Sequence, residues 1–279
     1  MNAGWGGGSF GTLGECVLAP NANMMTLDGT NTWVLRSPGS EQSVVIDPGP
    51  LDAGHLGAVA AVAGDVRAVL LTHHHADHSE AARAFAERVG CGVRALDPAY
   101  RLGSEGLADG DVVSVGDLEI RVVGTPGHTA DSLSFWLPED GAVLTGDTVL
   151  GRGTTVVAHP DGQLGAYLDS LDRLHALAAS RELTTIWPGH GPVIDDALGA
   201  LDFYIAHRRD RLGQVEQALL TLSGESTLTA ALRHLDLDPG SGAMLTPQRV
   251  VEHVYRDVDP VLWGAAELSV RAQLAYLAR

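Results

Sequence analysis

Residues 71–80 read "LTHHHADHSE", which places four histidines and an aspartate inside six consecutive positions, 73 to 78. The run is internal. It follows the apolar stretch "VRAVLL" and precedes "SEAARAFAERVG", so it sits where a buried strand hands over to a helix. In extended backbone, alternate side chains point the same way. His73 and His75 can therefore face one point while His74 faces away. A turn into a helix starting near Ser79 lets Asp77 and His78 point back toward it. Imidazole and carboxylate ligands suit zinc and, less well, iron or manganese.

Working outward, three further stretches supply the same chemistry. "GTPGHTADS" (124–132) puts His128 in a glycine-rich turn after a predicted strand. "LTGDTVLG" (144–151) puts Asp147 directly after an apolar strand, and "WPGHGP" (187–192) puts His190 just beyond another. With His73, His75, Asp77 and His78 these make seven ligand candidates, enough for two metal ions sharing a carboxylate. Two cations held roughly 3.5–4 Å apart lower the pKa of a shared water toward neutrality, and the resulting hydroxide can attack a carbonyl or phosphorus. Asp77 is the protein's best group for orienting or deprotonating that water.

The flanking sequence reads as alternating strands and helices. "NTWVLRS", "QSVVIDPG", "VRAVLLT", "SLSFWLP", "GAVLTGD" and "LTTIWPGH" read as strands, and "DVVSVGDLEIRVVGTPG" as a hairpin. "LDAGHLGAVAAVAG", "SEAARAFAERVG" and "GQLGAYLDSLDRLHAL" read as helices, so an α/β fold with helices covering sheets is expected. From residue 197 the pattern turns helical. "ALGALDFYIAHRRDRLGQVEQALL", "TLTAALRHL", "TPQRVVEHVYRDV" and "ELSVRAQLAYLAR" are expected helices, with "LDLDPGSGAM" a loop. This divides the chain into residues 1–196, bearing the chemistry, and a helical tail, 197–279. The glycine-rich start, "MNAGWGGGSFGTLGE", reads as a frayed lead-in rather than a signal peptide.

The 279 residues carry a net charge of −17, with 45% hydrophobic residues and every basic residue an arginine. Residues 1–196 hold 10 basic and 25 acidic side chains, so long-range electrostatics oppose a polyanion such as RNA. No apolar run is long enough to span a membrane, and a cytoplasmic protein is expected. Two cysteines, Cys16 and Cys91, lack ligand spacing and read as buried thiols.

The ordered set "THHHADHS", "GTPGHTADS", "LTGDTVLG" and "PGHGP" resembles the metallo-β-lactamase fold superfamily over most of residues 20–195. The resemblance implies an αββα sandwich with two zinc ions at one edge; iron or manganese can replace zinc. It also implies that His73, His75 and His128 hold the first metal, that Asp77, His78 and His190 hold the second, and that Asp147 bridges them. The commonest zinc β-lactamases resemble this pattern but carry cysteine at that bridging position, so a true β-lactamase is disfavoured. Asp47, ending "VVID", resembles a residue that fixes a ligand imidazole. "LDGTNTWVL", "GRGTTVV", "YIAHRR" and the tail resemble the β-lactamase-like endoribonuclease subgroup, which includes thioesterases and has a winged-helix-like C-terminal module. No hairpin wing is legible after "AYLAR". Thr30, Asn31, Thr154, Tyr204 and His207 become candidates for the pocket or its surroundings, while Arg208, Arg209 and Arg211 read as a solvated helix face. The expected activity is hydrolysis of a small ester or thioester. Cleavage of single-stranded RNA and a mono-iron sulfur oxygenase are the alternatives.

Overall fold

The computed structural model describes residues 4–236 and 245–279. Strands β1 (Gly8–Phe10), β2 (Gly14–Leu18), β3 (Asn31–Leu35) and β4 (Gln42–Ile46) lead through helix α1 (Ala53–Ala63) to β5 (Asp65–Leu70). After α2 (Ala76–Ser79) and α3 (Ala82–Val89), β6 (Gly92–Arg94) completes a six-stranded sheet in sequential order. The second sheet holds β7 (Val112–Val115), β8 (Leu118–Gly124), β9 (Leu133–Leu137), β10 (Ala142–Gly146) and, after helix α4 (Leu164–Ala179), β11 (Thr185–Pro188). Its order is β11-β10-β9-β8-β7.

The two sheets face each other across a core that includes Trp33, Ile46, Leu70, Phe135, Leu144 and Trp187. Val59 of α1 and Phe85 of α3 cover the outer face of the first sheet together with Val45 and Val69. Tyr167 and Leu171 of α4 cover the outer face of the second with Val143 and Ile186. This is the expected four-layer helix–sheet–sheet–helix arrangement. The layering explains why β3, β9 and β10 are buried at every position and show no polar alternation, whereas β8 alternates buried and exposed residues at its start.

Two sequence expectations change here. The described part of the glycine-rich start is no frayed lead-in, since residues 8–18 form the edge hairpin β1–β2. Its aromatic side chains hold it: Phe10 lies 5.7 Å from Trp33, which stacks at 4.9 Å on Trp187. Gly14 makes this approach possible, because a Cβ there would sit 2.2 Å from the Trp187 ring. The helix expected from Ser79 is two: the short α2 turn carries Asp77 and His78, and α3 begins only at Ala82.

Beyond residue 196 come α5 (Ala197–Ser223), α6 (Leu228–Leu232), α7 (Pro247–Val254) and α8 (Trp263–Leu277), which starts four residues before the expected Glu267. The expected loop "LDLDPGSGAM" lies, from residue 237, outside the described residues. Val215, Leu219, Leu245, Val250, Val270 and Leu274 form a separate core for this tail. Leu201, Tyr204 and Ile205, earlier on α5, belong to the core over the second sheet. The packing therefore changes hands along α5. Among the described residues, no helix is long and apolar enough to cross a membrane.

Candidate metal centre

Strands β4, β5 and β6 run parallel, as do β10 and β11; β8 runs with β10 because each is antiparallel to β9. Asp47, the His73–His78 segment, His128, Asp147 and His190 each follow the C-terminal end of one of β4, β5, β8, β10 and β11. All these ends lie on one edge of the sandwich, so residues over a hundred positions apart converge.

The convergence forms three overlapping groups: His73, His75 and His128; His73, His78 and Asp147; and Asp77, His78 and His190. Within each, the potential ligand atoms lie within 4.8 Å of one another. His75 Nδ1 is 3.1 Å from His73 Nε2 and 3.0 Å from His128 Nε2. His190 Nε2 is 3.2 Å from His78 Nε2 and 3.1 Å from Asp77 Oδ2. Asp147 stands between the groups. Its Oδ1 is 3.3 Å from His78 Nε2 and 3.4 Å from His190 Nε2, and its Oδ2 is 3.7 Å from His128 Nε2.

These groups fit divalent cations. Zinc–nitrogen bonds of 2.0–2.1 Å in a tetrahedron put ligand nitrogens about 3.3 Å apart, close to the separations between the imidazoles. Asp147 Oδ1 is buried with no hydrogen-bond partner among the described residues, the condition of an oxygen shaped for a cation. Gly189 leaves the space: a Cβ there would lie 2.7 Å from Asp147 Oδ1 and 2.8 Å from the His78 ring.

The distal nitrogens are held by the protein. His78 Nδ1 is 2.8 Å from Asp47 Oδ2, while Asp47 also accepts hydrogen bonds from the Thr72 amide and hydroxyl. His128 Nδ1 donates to the Val156 carbonyl at 2.7 Å, and His190 Nδ1 lies 3.1 Å from the Gly29 carbonyl. His74 points away, 2.8 Å from Asp131 Oδ1.

By the protein's own charges the two halves differ. Burial, with positive neighbours, holds His73 well below the usual histidine range and His75 at about 4. Burial likewise lowers His128. These imidazoles are kept neutral, the form in which an imidazole can bind a metal. Burial also works against charge on His78 and His190, but carboxylates outweigh it: Asp147 and Asp47 raise His78, and Asp147 and Asp77 raise His190 to about 9. Asp147 itself resists burial because His190 and His78 hold it well below the carboxylate range.

A pH dependence follows for chelator-treated protein. Protonated His190 stabilises the fold below its ordinary value of 6.5, and that contribution is lost as pH rises through about 9. His75 acts oppositely: with its value lowered from 6.5 to about 4, stability is lost as pH falls across that interval. Thermal unfolding of the chelated chain should therefore show maximal Tm near neutrality. Metal should raise Tm most on the alkaline side, where it displaces no proton. A metal increment that grows toward acid would contradict this charge distribution.

A cavity of about 420 Å³ opens over His75, Asp77, His128 and Asp147. Its walls include Arg152, Gly153 and Thr155 of the "GRGTT" stretch beside the expected Thr154. Met24, Met25, Leu27 and Leu150 add an apolar side, and Leu262, Ala265 and Leu268 reach in from the tail. The methionine pair in "NANMMTLDG" is a legible signal, since adaptable thioethers suit ligand surfaces. The tail residues carry no such local signal, because only the tertiary fold brings them there.

Of the residues expected in the pocket or around it, several stand behind its lining, and one stands away from it. Thr30 and Asn31 are fully buried and do not line the cavity. Asn31 instead donates to the carbonyls of Pro188 and Gly191, pinning the loop of His190 from both sides. Tyr204 is also buried behind the wall, its hydroxyl accepting from the Leu150 amide at 2.8 Å. His207 stacks on exposed Phe203, away from the cavity, because it lies on another face of α5. Arg208 is not solvated: it is 5% exposed and donates to the Thr155 carbonyl.

Comparison with known proteins agrees with this architecture. Residues 25–190 match the family described as Metallo-beta-lactamase superfamily, and residues 246–279 match the Beta-lactamase associated winged helix domain. The chain is 33% identical over 221 residues to a Beta-lactamase-like protein 2 homolog of Caenorhabditis elegans, covering 73% of this chain and 70% of that one. It is 34% identical over 221 residues to an Atrochrysone carboxyl ACP thioesterase of Aspergillus fumigatus, covering 75% of this chain and 65% of that one. A solved metallo-beta-lactamase family protein of Thermus thermophilus superposes with a TM-score of 0.72 at 22% identity, covering 94% of this chain and 92% of that one. The convergent histidines and aspartates, the two facing sheets and the tail thus belong together: the chain is a member of the metallo-beta-lactamase superfamily of hydrolases, with the winged-helix module associated with it.

Proposed function

We propose that this chain is a dinuclear, zinc-dependent hydrolase of thioesters, or of comparably activated esters, whose acyl group is apolar. The observation that carries the reading is the cavity itself: imidazoles and carboxylates line one part of it, and methionine and leucine give it an apolar side. In this reading His73, His75 and His128 hold one ion, Asp77, His78 and His190 the other, and Asp147 both. Bound there, the ions supply a polarised carbonyl and a water acidified toward neutrality.

The protein's groups do the rest. Asp77 faces the cavity and resists the effect of burial because His190 and His78 hold it below the usual carboxylate range. It would remain an anion able to accept a hydrogen bond from a water at the centre and so orient it. Among the described residues, no lysine, tyrosine or non-ligand histidine lines the cavity to protonate a leaving group. A thiolate needs none, since a thiol's pKa near 8.5 lets it depart unprotonated; an alkoxide or ribose oxygen would need one. Among the described residues the one arginine in the lining, Arg152, is paired with Asp28, which does not favour RNA either. The relative from Aspergillus fumigatus named as a thioesterase supports the same choice.

The test is a panel of acyl thioesters of increasing chain length. Each methylene buried is worth about 0.8 kcal/mol, or roughly fourfold in kcat/KM. The efficiency should climb with chain length until the cavity is filled. Leu268→Asp should flatten that climb with metal content intact. Turnover of single-stranded RNA with no thioester hydrolysed would overturn the substrate class. Bound iron with oxygen consumption on a persulfide would move the chain to redox chemistry.

A further inference from the structure

The "YIAHRR" stretch of α5 has so far supplied no group to the site. Its Arg208 is a buried cation with no carboxylate within ion-pair distance among the described residues. Its guanidinium lies 4.9 Å over the ring of Tyr167 and donates to the Thr155 carbonyl, while its Nε has no partner among the described residues. A lone charge in such a place is costly unless the fold uses it.

What it touches is specific. Thr155 Oγ1 lies 3.1 Å from His128 Nδ1, and the next carbonyl, Val156, accepts from that nitrogen at 2.7 Å. The same segment is fastened at three earlier points. The Tyr167 hydroxyl donates to the Thr148 carbonyl at 2.6 Å, and the Tyr204 hydroxyl accepts from the Leu150 amide and donates to the Gly153 carbonyl at 3.1 Å. Residues 148–155 run from beside Asp147 to the buttress of His128, so one row of side chains from α4 and α5 fixes the path between them. Arg208 lies four positions after Tyr204, about one helical turn, which puts both on the same inward face.

We infer that Arg208 is a positioning residue of the metal centre: by clamping the Thr155 carbonyl it sets the tautomer and orientation of His128. The Thr155 amide group is polarised by the guanidinium, and the adjoining Val156 carbonyl is held where only an Nδ1–H imidazole can meet it. Nε2 is then left unprotonated and directed at the cation position. The segment concerned also supplies the cavity wall through Thr154 and Thr155.

This inference rests on His128 being a metal ligand, as proposed above. Cobalt(II) titration under chelator competition separates the two, because the visible spectrum reports ligand geometry without turnover. Wild-type protein should bind two cobalt ions. Arg208→Met should weaken the ion at the three-histidine position by about 10–100-fold, the usual cost of losing an outer-sphere support, and change its spectrum. Arg208→Lys should recover part of the affinity. In a His128→Ala background, Arg208→Met should have no further effect on cobalt affinity, because its route to the ion is already removed. A wild-type chain that binds no cobalt overturns the metal reading itself. A wild-type chain with two ions and an Arg208→Met variant of identical affinity and spectrum overturns the inference. Equal loss in both backgrounds also overturns it, since Arg208 would then act through general stability. Arg208→Gln, which keeps an amide donor on the same helix position but removes the guanidinium charge, gives the same comparison should Arg208→Met fail to fold.

Discussion

Asp147→Ala is expected to release one metal equivalent per chain and to lower kcat/KM by about a thousandfold. Among the described residues, this carboxylate is the one group with an oxygen toward each histidine cluster, 3.3 Å from His78 on one side and 3.7 Å from His128 on the other. Losing it removes several kcal/mol of charge stabilisation at the reacting centre, and each factor of ten corresponds to about 1.4 kcal/mol. It also leaves His78 and His190 facing each other at 3.2 Å without the anion that offsets their charge. Elemental analysis checks the stoichiometry and thioester turnover the rate. His74→Ala is the matched control for metal content, because His74 bonds to Asp131 and belongs to none of the three ligand groups. Two metals and near-normal turnover in Asp147→Ala would refute the bridging assignment.

Asp47→Ala should be the most destabilising single change near the site. The side chain is buried and accepts three hydrogen bonds, from the Thr72 amide, the Thr72 hydroxyl and His78 Nδ1. Removing one member of a buried ionic pair costs about 3–5 kcal/mol, which lowers Tm by on the order of 10 °C in a chain of this size. The retained His78 would also lose its orientation, so affinity for the second ion should fall about 10–100-fold. Asp47→Asn keeps the shape and should recover much of the stability, but not the affinity. Differential scanning calorimetry with and without metal separates the two effects. An Asp47→Ala variant as stable as wild type would contradict the role of this hydrogen-bond hub.

The extent to which the sequence revealed this arrangement depended on how local each cause was. The histidine run, His128, Asp147 and His190 each follow an apolar strand, so the residues and their placement at strand ends could be read from short stretches. The layered α/β fold followed from the same alternation of strands and helices. The N-terminal hairpin could not be read this way, because Gly14 matters only for the room it leaves Trp187. Asn31 read only as a residue of the pocket or its surroundings; that its amide serves Pro188 and Gly191, some 160 positions away, takes the tertiary fold to see. Arg208 sits among charged neighbours on a helix whose inner face changes partners along its length. Local composition suggested solvent there, and tertiary packing put it behind the site wall. The cavity lining has the same origin: Leu262 and Leu268 acquire their role only when α8 folds back over the sandwich.

The most direct test of the central claim is the metal content of the purified chain, measured beside thioester hydrolysis before and after chelation. Two zinc ions per chain, with hydrolysis abolished by chelator and restored by metal, is the predicted result. Thioester hydrolysis that proceeds undiminished in metal-depleted protein would contradict it.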